Sequence, residues 1–182
     1  MNAPLQNPGR MAAEEFLLWA ERQPSGRYEL YDGEVVAMAP ERASHAQLKL
    51  QMTVSLLRAV HEAGISCQVF PDGMAVKLPD DTVFEPDAMV RCGQPIDRNA
   101  VAVTDPVIVV EVLSPSTWGI DTTVKLERYF QILSVQHYLI ARTDSPVVVH
   151  HRRTADGIAT RIVQPGPLRL DPPGLTLELG NA

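Results

Sequence analysis

The spacing of apolar residues changes several times along the chain, and each change marks a predicted element. Helical spacing appears in Met11–Arg22, Ser44–Glu62 and Asp121–Leu133. Shorter apolar stretches bounded by Pro, Gly and Asp are typical of strands. The predicted strands are Arg27–Tyr31, Glu34–Met38, Ser66–Phe70, Met74–Leu78, Asp87–Arg91, Pro106–Leu113, His137–Ala141, Val147–His151, Ile158–Val163 and Leu175–Leu179. This order predicts an α/β fold with a mixed β-sheet flanked by helices.

The first two predicted strands form an N-terminal β-hairpin. They are separated by Asp32-Gly33, and Asp-Gly is favoured in two-residue hairpin turns because it tolerates positive φ. Pairing across this turn places Glu29 opposite Val36, on the same face of the hairpin as Glu34. Two carboxylates, those of Glu29 and Glu34, are therefore expected on one side of a small sheet.

The predicted helix Ser44–Glu62 has two apolar stripes. Ser44-His-Ala-Gln47 matches a capping box, and Gly64 follows the last helical residue. One stripe contains Ala46, Leu50, Val54, Leu57 and Val60, and the other, nearly opposite, contains Leu48, Met52 and Leu56. A helix that is apolar on two sides is buried on two sides. We expect one face to meet the sheet and the other to meet a second subunit, another element or a covering loop.

An acidic residue interrupts the most apolar predicted strand. Glu111 lies within Val-Ile-Val-Val-Glu-Val-Leu, where a lone ionised carboxylate is costly, so it is paired, protonated or bound to a metal. The alternative is a structural salt bridge to a nearby Arg or Lys. Asp87, after Pro86, begins another predicted strand, and two such carboxylates can bind Mg²⁺.

A lysine is expected to reach the same place. Asp121 and Lys125 are four residues apart, so they lie on one helix face, and on their own they would be a surface ion pair. The connection from the Glu111 strand to this helix is short, which brings Lys125 towards Glu111. An amine beside a metal can stabilise a pentacovalent phosphate or orient the attacking water.

Composition narrows the class of protein. The chain has 182 residues, 45% of them hydrophobic, which fits one soluble domain from residue 11 to 182 after a flexible tail of residues 1–10. It has no apolar run of membrane-spanning length, no secretory signal pattern and two cysteines, so we expect a cytoplasmic protein with reduced thiols. The net charge of −6 argues against tight non-specific DNA binding. The most basic run, His150–Arg153, could touch phosphates, but a solvated strand end is the expected alternative.

Several motifs, in order, resemble the Uma family of restriction-endonuclease-like proteins in the PD-(D/E)xK nuclease superfamily. They are Arg27-Tyr-Glu-Leu-Tyr-Asp-Gly-Glu, Met38-Ala-Pro, Ser44-His, Pro86-Asp, Glu111-Val-Leu-Ser-Pro-Ser-Thr, Asp121-x-x-x-Lys125-x-x-x-Tyr129 and Pro173-Gly-Leu-Thr-Leu. The resemblance extends from about Met11 to the C-terminus. It implies a restriction-endonuclease-like core and Mg²⁺-dependent phosphodiester hydrolysis, with Mn²⁺ as a possible substitute.

The resemblance also implies roles for individual residues. Asp87 and Glu111 would be the metal-binding acids, and Lys125 would be a lysine relocated from the superfamily's usual position, which Leu113 occupies here. Glu34 would be a further catalytic acid. Possible accessory residues are Glu29, His45 and Asp121. The chain departs from the family at Arg142, where an aspartate is common.

The sequence therefore predicts a Mg²⁺-dependent endonuclease that cuts DNA, acting as a homodimer. A catalytically silent binding or regulatory module on the same fold is the alternative, favoured by the negative charge and by Leu113. A hydrolase of small phosphoesters is a third hypothesis.

Overall fold

The computed structural model describes residues 9–113 and 120–180, so most of the predicted N-terminal tail lies outside it. Three helices accompany the strands in these ranges. The helices are α1 (Ala13–Glu21), α2 (Ala43–Ala63) and α3 (Ile120–Tyr129). The strands are β1 (Tyr28–Tyr31), β2 (Glu34–Ala37), β3 (Cys67–Pro71), β4 (Ala75–Lys77), β5 (Val83–Phe84), β6 (Ala88–Cys92), β7 (Ala102–Val103), β8 (Ile108–Leu113), β9 (His137–Arg142), β10 (Ser145–Thr154), β11 (Gly157–Val163), β12 (Gly166–Leu170) and β13 (Leu175–Leu179). The predicted α/β class, with mixed sheets and flanking helices, is confirmed.

The largest sheet has six strands in the order β11-β10-β9-β8-β6-β3. Strands β8 and β9 are parallel, and the other neighbours are antiparallel. All six residues of β8 are buried, as expected of a strand covered on both faces. The prediction that the Glu111 strand is central is therefore confirmed.

The hairpin belongs to a second sheet with the order β2-β1-β5-β4-β7. Tyr31 pairs with Glu34 and Glu29 pairs with Val36, which confirms the predicted register. Strands β5 and β7 were not predicted, because each has only two residues. Strand β12, which pairs with β13, was also missed.

Helix α2 differs from its prediction at both its start and its outer face. Its N-cap is Arg42, with no side-chain capping bond, so the Ser44 capping box is wrong. Its end is as predicted, at Gly64 with a φ of 62°. Leu56 is fully buried, whereas Leu50 is 65% and Leu57 is 50% exposed. Leu50 and Leu57 belong to the first of the two predicted stripes, and their exposure shows that burial of the helix on both sides is wrong within this chain.

The predicted solvated strand end over His150–Arg153 is wrong for the two histidines, which are buried, whereas Arg152 is exposed. His150 is 1% and His137 0% exposed, because both face the interior between β9, β10 and the turn before β13. Arg161 donates to His150 Nδ1 at 3.2 Å, His150 Nε2 then donates to His137 Nδ1 at 2.9 Å, and His137 Nε2 donates to the Pro172 carbonyl at 2.8 Å. Burial lowers the pKa of His137 to about 4 and that of His150 to about 3, so both rings are neutral.

Two further observations concern the edge of the large sheet and the helices. Cys67 and Cys92 face each other across β3 and β6 and form a disulfide, so the expectation of reduced thiols is wrong. In residues 9–113 and 120–180, no helix combines the length and apolarity that crossing a membrane requires.

Candidate functional site

Strands β6 and β8 bring Asp87 and Glu111 together. Asp87 directly precedes β6, and its N–H donates to the Val110 carbonyl at 3.0 Å, which extends the β6–β8 ladder to the level of Glu111. Each of the two acids is 5% exposed. Both line one cavity of about 540 Å³, together with Glu29, His45 and Lys125 among others. The predicted convergence of the two carboxylates is therefore present.

Helix α3 supplies the predicted amine. Lys125 Nζ lies 3.2 Å from Glu111 Oε1 and 3.0 Å from Glu29 Oε1. Tyr129, one turn later on the same face of α3, donates its hydroxyl to Glu111 Oε1 at 2.7 Å. Glu29 is held in place by the Glu85 N–H, which donates to its Oε1 at 2.9 Å. One face of α3 thus organises the carboxylate of β8.

The environment of Glu111 shifts the pKa of its carboxyl group towards neutral pH. Burial raises this pKa to about 7, because the ionised form loses hydration. The Lys125 ammonium opposes this rise, while the negative charges of Asp87 and Glu29 add to it. A carboxyl group with this pKa can be protonated or ionised under physiological conditions, and its state then depends on which cations are nearby.

The pKa of Asp87 is shifted in the opposite direction from that of Glu111. Burial alone would raise its pKa, but the His45 side chain, the Val112 N–H and the Lys49 charge outweigh burial, and its pKa is lowered. Val112 N donates to Oδ2 at 2.6 Å, Lys49 Nζ lies 3.3 Å from Oδ1, and His45 Nε2 lies 3.5 Å from Oδ2. The same contact with Asp87 raises the pKa of His45. Two acids in one cavity therefore have pKa values shifted in opposite directions.

Lys49 and Arg27 are site residues that the sequence interpretation missed. Lys49 is 5% exposed and contacts Glu41 and Asp72 as well as Asp87. Arg27 Nη1 lies 3.0 Å from both Glu41 and Asp72. A signal was present for Lys49, since it lies three residues before Met52 and seven before Leu56, within the buried stripe of α2.

Not every predicted site residue lies at this cavity. Glu34, at the start of β2, has a side chain 68% exposed and 4.0 Å from Arg10, and it does not line the cavity, whereas Glu29 does. Asp121 is in the first turn of α3, and its side chain lies outside the described part of the structure. Leu113 lines the cavity but carries no amine. Arg142 pairs with Asp144 at 2.8 Å.

The acids of the cavity can be compared with the ligands that Mg²⁺ uses. Within the described ranges, no three His, Cys, Asp or Glu residues are arranged to hold a metal ion. Five acids line the cavity, among them Asp87 and Glu111 from neighbouring strands, and the described hydrogen bonds of Glu111 all fall on Oε1. Mg²⁺ commonly binds through one or two carboxylates and retains several waters. Asp87 and Glu111 therefore fit this ion.

Comparisons with known proteins agree with this architecture. The family described as "Uma2: Putative restriction endonuclease" matches residues 13–180, so the resemblance found in the sequence motifs is confirmed. An uncharacterised Synechocystis sp. protein, slr1290, is 30% identical over 150 residues, which cover 81% of this chain and 77% of that protein. A second Synechocystis sp. protein, sll1609, is 29% identical over 149 residues, which cover 80% of this chain and 82% of that protein.

A solved structure is similar in fold. The crystal structure of "a putative nuclease belonging to DUF820" from Anabaena variabilis matches with a TM-score of 0.66 and covers 88% of both chains. The sequence identity is 16%, so this similarity concerns the fold alone.

Proposed function

We propose that this chain, which belongs to the Uma2 family, is a Mg²⁺-dependent endonuclease that hydrolyses phosphodiester bonds of DNA. One observation carries the proposal. Asp87 and Glu111 line the same cavity, and the Lys125 ammonium lies 3.2 Å from Glu111 Oε1 at that cavity. Two acids that can hold a cation, with an amine beside them, are the groups that phosphodiester hydrolysis requires.

The residues of the cavity would have different roles in the proposed reaction. Asp87 is ionised and would be the permanent metal ligand, while Glu111 becomes a ligand once it loses its proton. When bound, Mg²⁺ would supply polarisation of a phosphoryl oxygen and activation of a water. Lys125 would stabilise the charge that develops on the phosphate, because its ammonium is fixed beside the acids by Glu29 and Glu111. Tyr129 would keep the Glu111 carboxyl oriented.

Cleavage of supercoiled plasmid in Mg²⁺ or Mn²⁺ tests the proposal. We expect Asp87→Asn and Lys125→Met to lower the cleavage rate by about 100-fold or more, the usual effect of losing a transition-state contact. Lys77→Met is the matched control, since Lys77 pairs with Glu14 away from the cavity and its loss should leave the rate unchanged. Equal cleavage by wild type and both site variants would contradict the proposal.

The alternative is a nuclease-fold module that binds without cutting. The observation that favours it is Leu113, an apolar side chain at the cavity position where the superfamily usually has its lysine. Retention of a DNA fragment without cleavage, across Mg²⁺ and Mn²⁺, would support this alternative. Turnover of a generic phosphodiester without DNA cleavage would instead indicate a small-substrate hydrolase.

We also propose that the protein acts as a homodimer. The support is the exposed apolar stripe of α2, in which Leu50 and Leu57 are at least half exposed. Light scattering after size-exclusion chromatography should give the dimer mass for wild type and the monomer mass for Leu50→Glu/Leu57→Glu. A monomeric wild type would refute this part of the proposal.

A further inference from the structure

Lys49 is a buried charge on a helix face that otherwise packs into the core. It is 5% exposed, and its neighbours on the buried side of α2 include Met52 and Leu56. An isolated ammonium in such a position is strongly destabilising, so its partners must compensate for the lost hydration.

Three carboxylates surround the Lys49 ammonium. Glu41 Oε1 contacts Nζ, Asp72 Oδ2 lies at 2.6 Å, and Asp87 Oδ1 lies at 3.3 Å. Lys49 donates hydrogen bonds to Glu41 and Asp72, and its contact with Asp87 is an ion pair at 3.3 Å. All three of these partners of Lys49 are carboxylates.

Arg27 ties the same acids into a wider network. It contacts Glu41 and Asp72 at 3.0 Å each, and it also contacts Glu85. Glu41 and Asp72 are thus each held by two cations. Glu41, Glu85 and Asp87 all line the cavity, and Asp87 is the member of the network proposed as a metal ligand, so Lys49 links the network to that ligand.

We propose that the Lys49 ammonium is a built-in counter-ion for Asp87 that lowers the affinity of the cavity for divalent cations. Lys49 is thus a positioning residue that acts through Asp87, and this inference rests on the proposed function. Without the ammonium, Glu41, Asp72 and Asp87 would bring more negative charge to a divalent ion, and such an ion would bind more tightly. The two lysines have separate tasks, Lys49 at Asp87 and Lys125 at Glu111.

The inference is tested by whether metal affinity rises or falls when Lys49 is replaced. Titration calorimetry with Mg²⁺ alone, and separately with Mn²⁺ alone, is performed on the whole protein without DNA. We expect Lys49→Met to bind each ion about tenfold more tightly than wild type, because one opposing charge is removed. Lys49→Arg keeps the charge and should stay within about twofold of wild type. In cleavage assays the half-saturating Mg²⁺ concentration should fall in parallel for Lys49→Met.

A second variant, Asp72→Asn, tests the same inference if Lys49→Met does not fold. Asp72→Asn retains the ammonium and removes one acid, so it should bind Mg²⁺ several-fold more weakly than wild type. Weaker or unchanged binding by folded Lys49→Met, or unchanged binding by Asp72→Asn, would overturn the inference. Wild type that binds Mg²⁺ but cuts no DNA would instead refute the proposed nuclease function and leave the role of Lys49 standing.

Discussion

Replacing Glu111 by Gln should stabilise the metal-free protein at alkaline pH. Glu111 is buried in β8, and burial raises the pKa of its carboxyl group from 4.5 to about 7. Glutamine has nearly the same shape and can still accept the hydrogen bond from Tyr129, but it never ionises. The variant therefore removes the cost of a buried charge while it keeps the packing.

The expected size follows from the difference between the two pKa values. Below pH 4.5 the carboxyl is protonated in both folded and unfolded chains, so Glu111 does not oppose folding. As pH rises towards 7, the unfolded chain loses this proton while the folded chain keeps it, and the free energy of unfolding falls. The full decrease in the free energy of unfolding is about 3 kcal/mol, because each pH unit between 4.5 and 7 contributes about 1.4 kcal/mol. About 2–3 kcal/mol of it falls between pH 5 and pH 8.

Urea unfolding in EDTA at pH 5 and pH 8 measures this difference. Glu111→Gln should gain about 2–3 kcal/mol relative to wild type between the two pH values, and other titrating groups cancel because both proteins contain them. Glu178→Gln, at an exposed position in β13, is the control and should gain nothing. Adding Mg²⁺ should stabilise wild type and not Glu111→Gln. A variant whose stability follows wild type at both pH values would show that Glu111 is not the buried titrating group described above.

Three further predictions concern the site and the core. Tyr129→Phe removes a hydrogen bond that lowers the pKa of Glu111, so the rising limb of the pH–rate profile for plasmid cleavage should move to higher pH. The pKa of His137 is lowered to about 4. As pH drops from 6.5 to 4, this group should therefore lower the free energy of unfolding of wild type by up to about 3 kcal/mol. His137→Gln should weaken this dependence of the free energy of unfolding on pH, as measured by urea titrations. Leu56→Ala, at a fully buried position, should cost about 2–5 kcal/mol, whereas Leu57→Ala, at a half-exposed one, should cost under about 1 kcal/mol by the same assay.

The parts of the fold that follow local rules could be predicted from the sequence. The Asp32-Gly33 turn determines the register of its own hairpin, because a two-residue turn leaves one pairing for the flanking residues. The apolar run around Glu111 indicates burial on both faces, and β8 is buried throughout. A buried Glu111 requires polar partners, and in the structure these include Lys125 and Tyr129.

The parts that depend on distant contacts could not be predicted in the same way. Glu29 and Glu34 lie on one face of the hairpin, but packing of β1 against β5 carries Glu29 to the cavity and leaves Glu34 near the exposed turn. The pattern of α2 shows which residues are apolar and not what covers them, so Leu50 appeared buried. Lys49 was overlooked because its partners come from the loop before α2, the turn after β3 and the start of β6, none of which is adjacent in sequence.

The negative net charge and a DNA substrate are compatible once the charges at the site are considered together. Six carboxylates surround the cavity or its adjoining network, those of Glu29, Glu41, Asp72, Glu85, Asp87 and Glu111, and three permanent cations, Arg27, Lys49 and Lys125, contact them. The ion pairs described for these three cations are all with acids of the protein, so the positive charge of these three side chains is already balanced. A phosphate approaching this cavity would be repelled unless a divalent ion reversed the local charge. The proposed dependence on Mg²⁺ is thus a requirement for holding the substrate as well as for the reaction, and Lys49, by limiting how tightly that ion is held, would set the Mg²⁺ concentration at which the site can accept DNA.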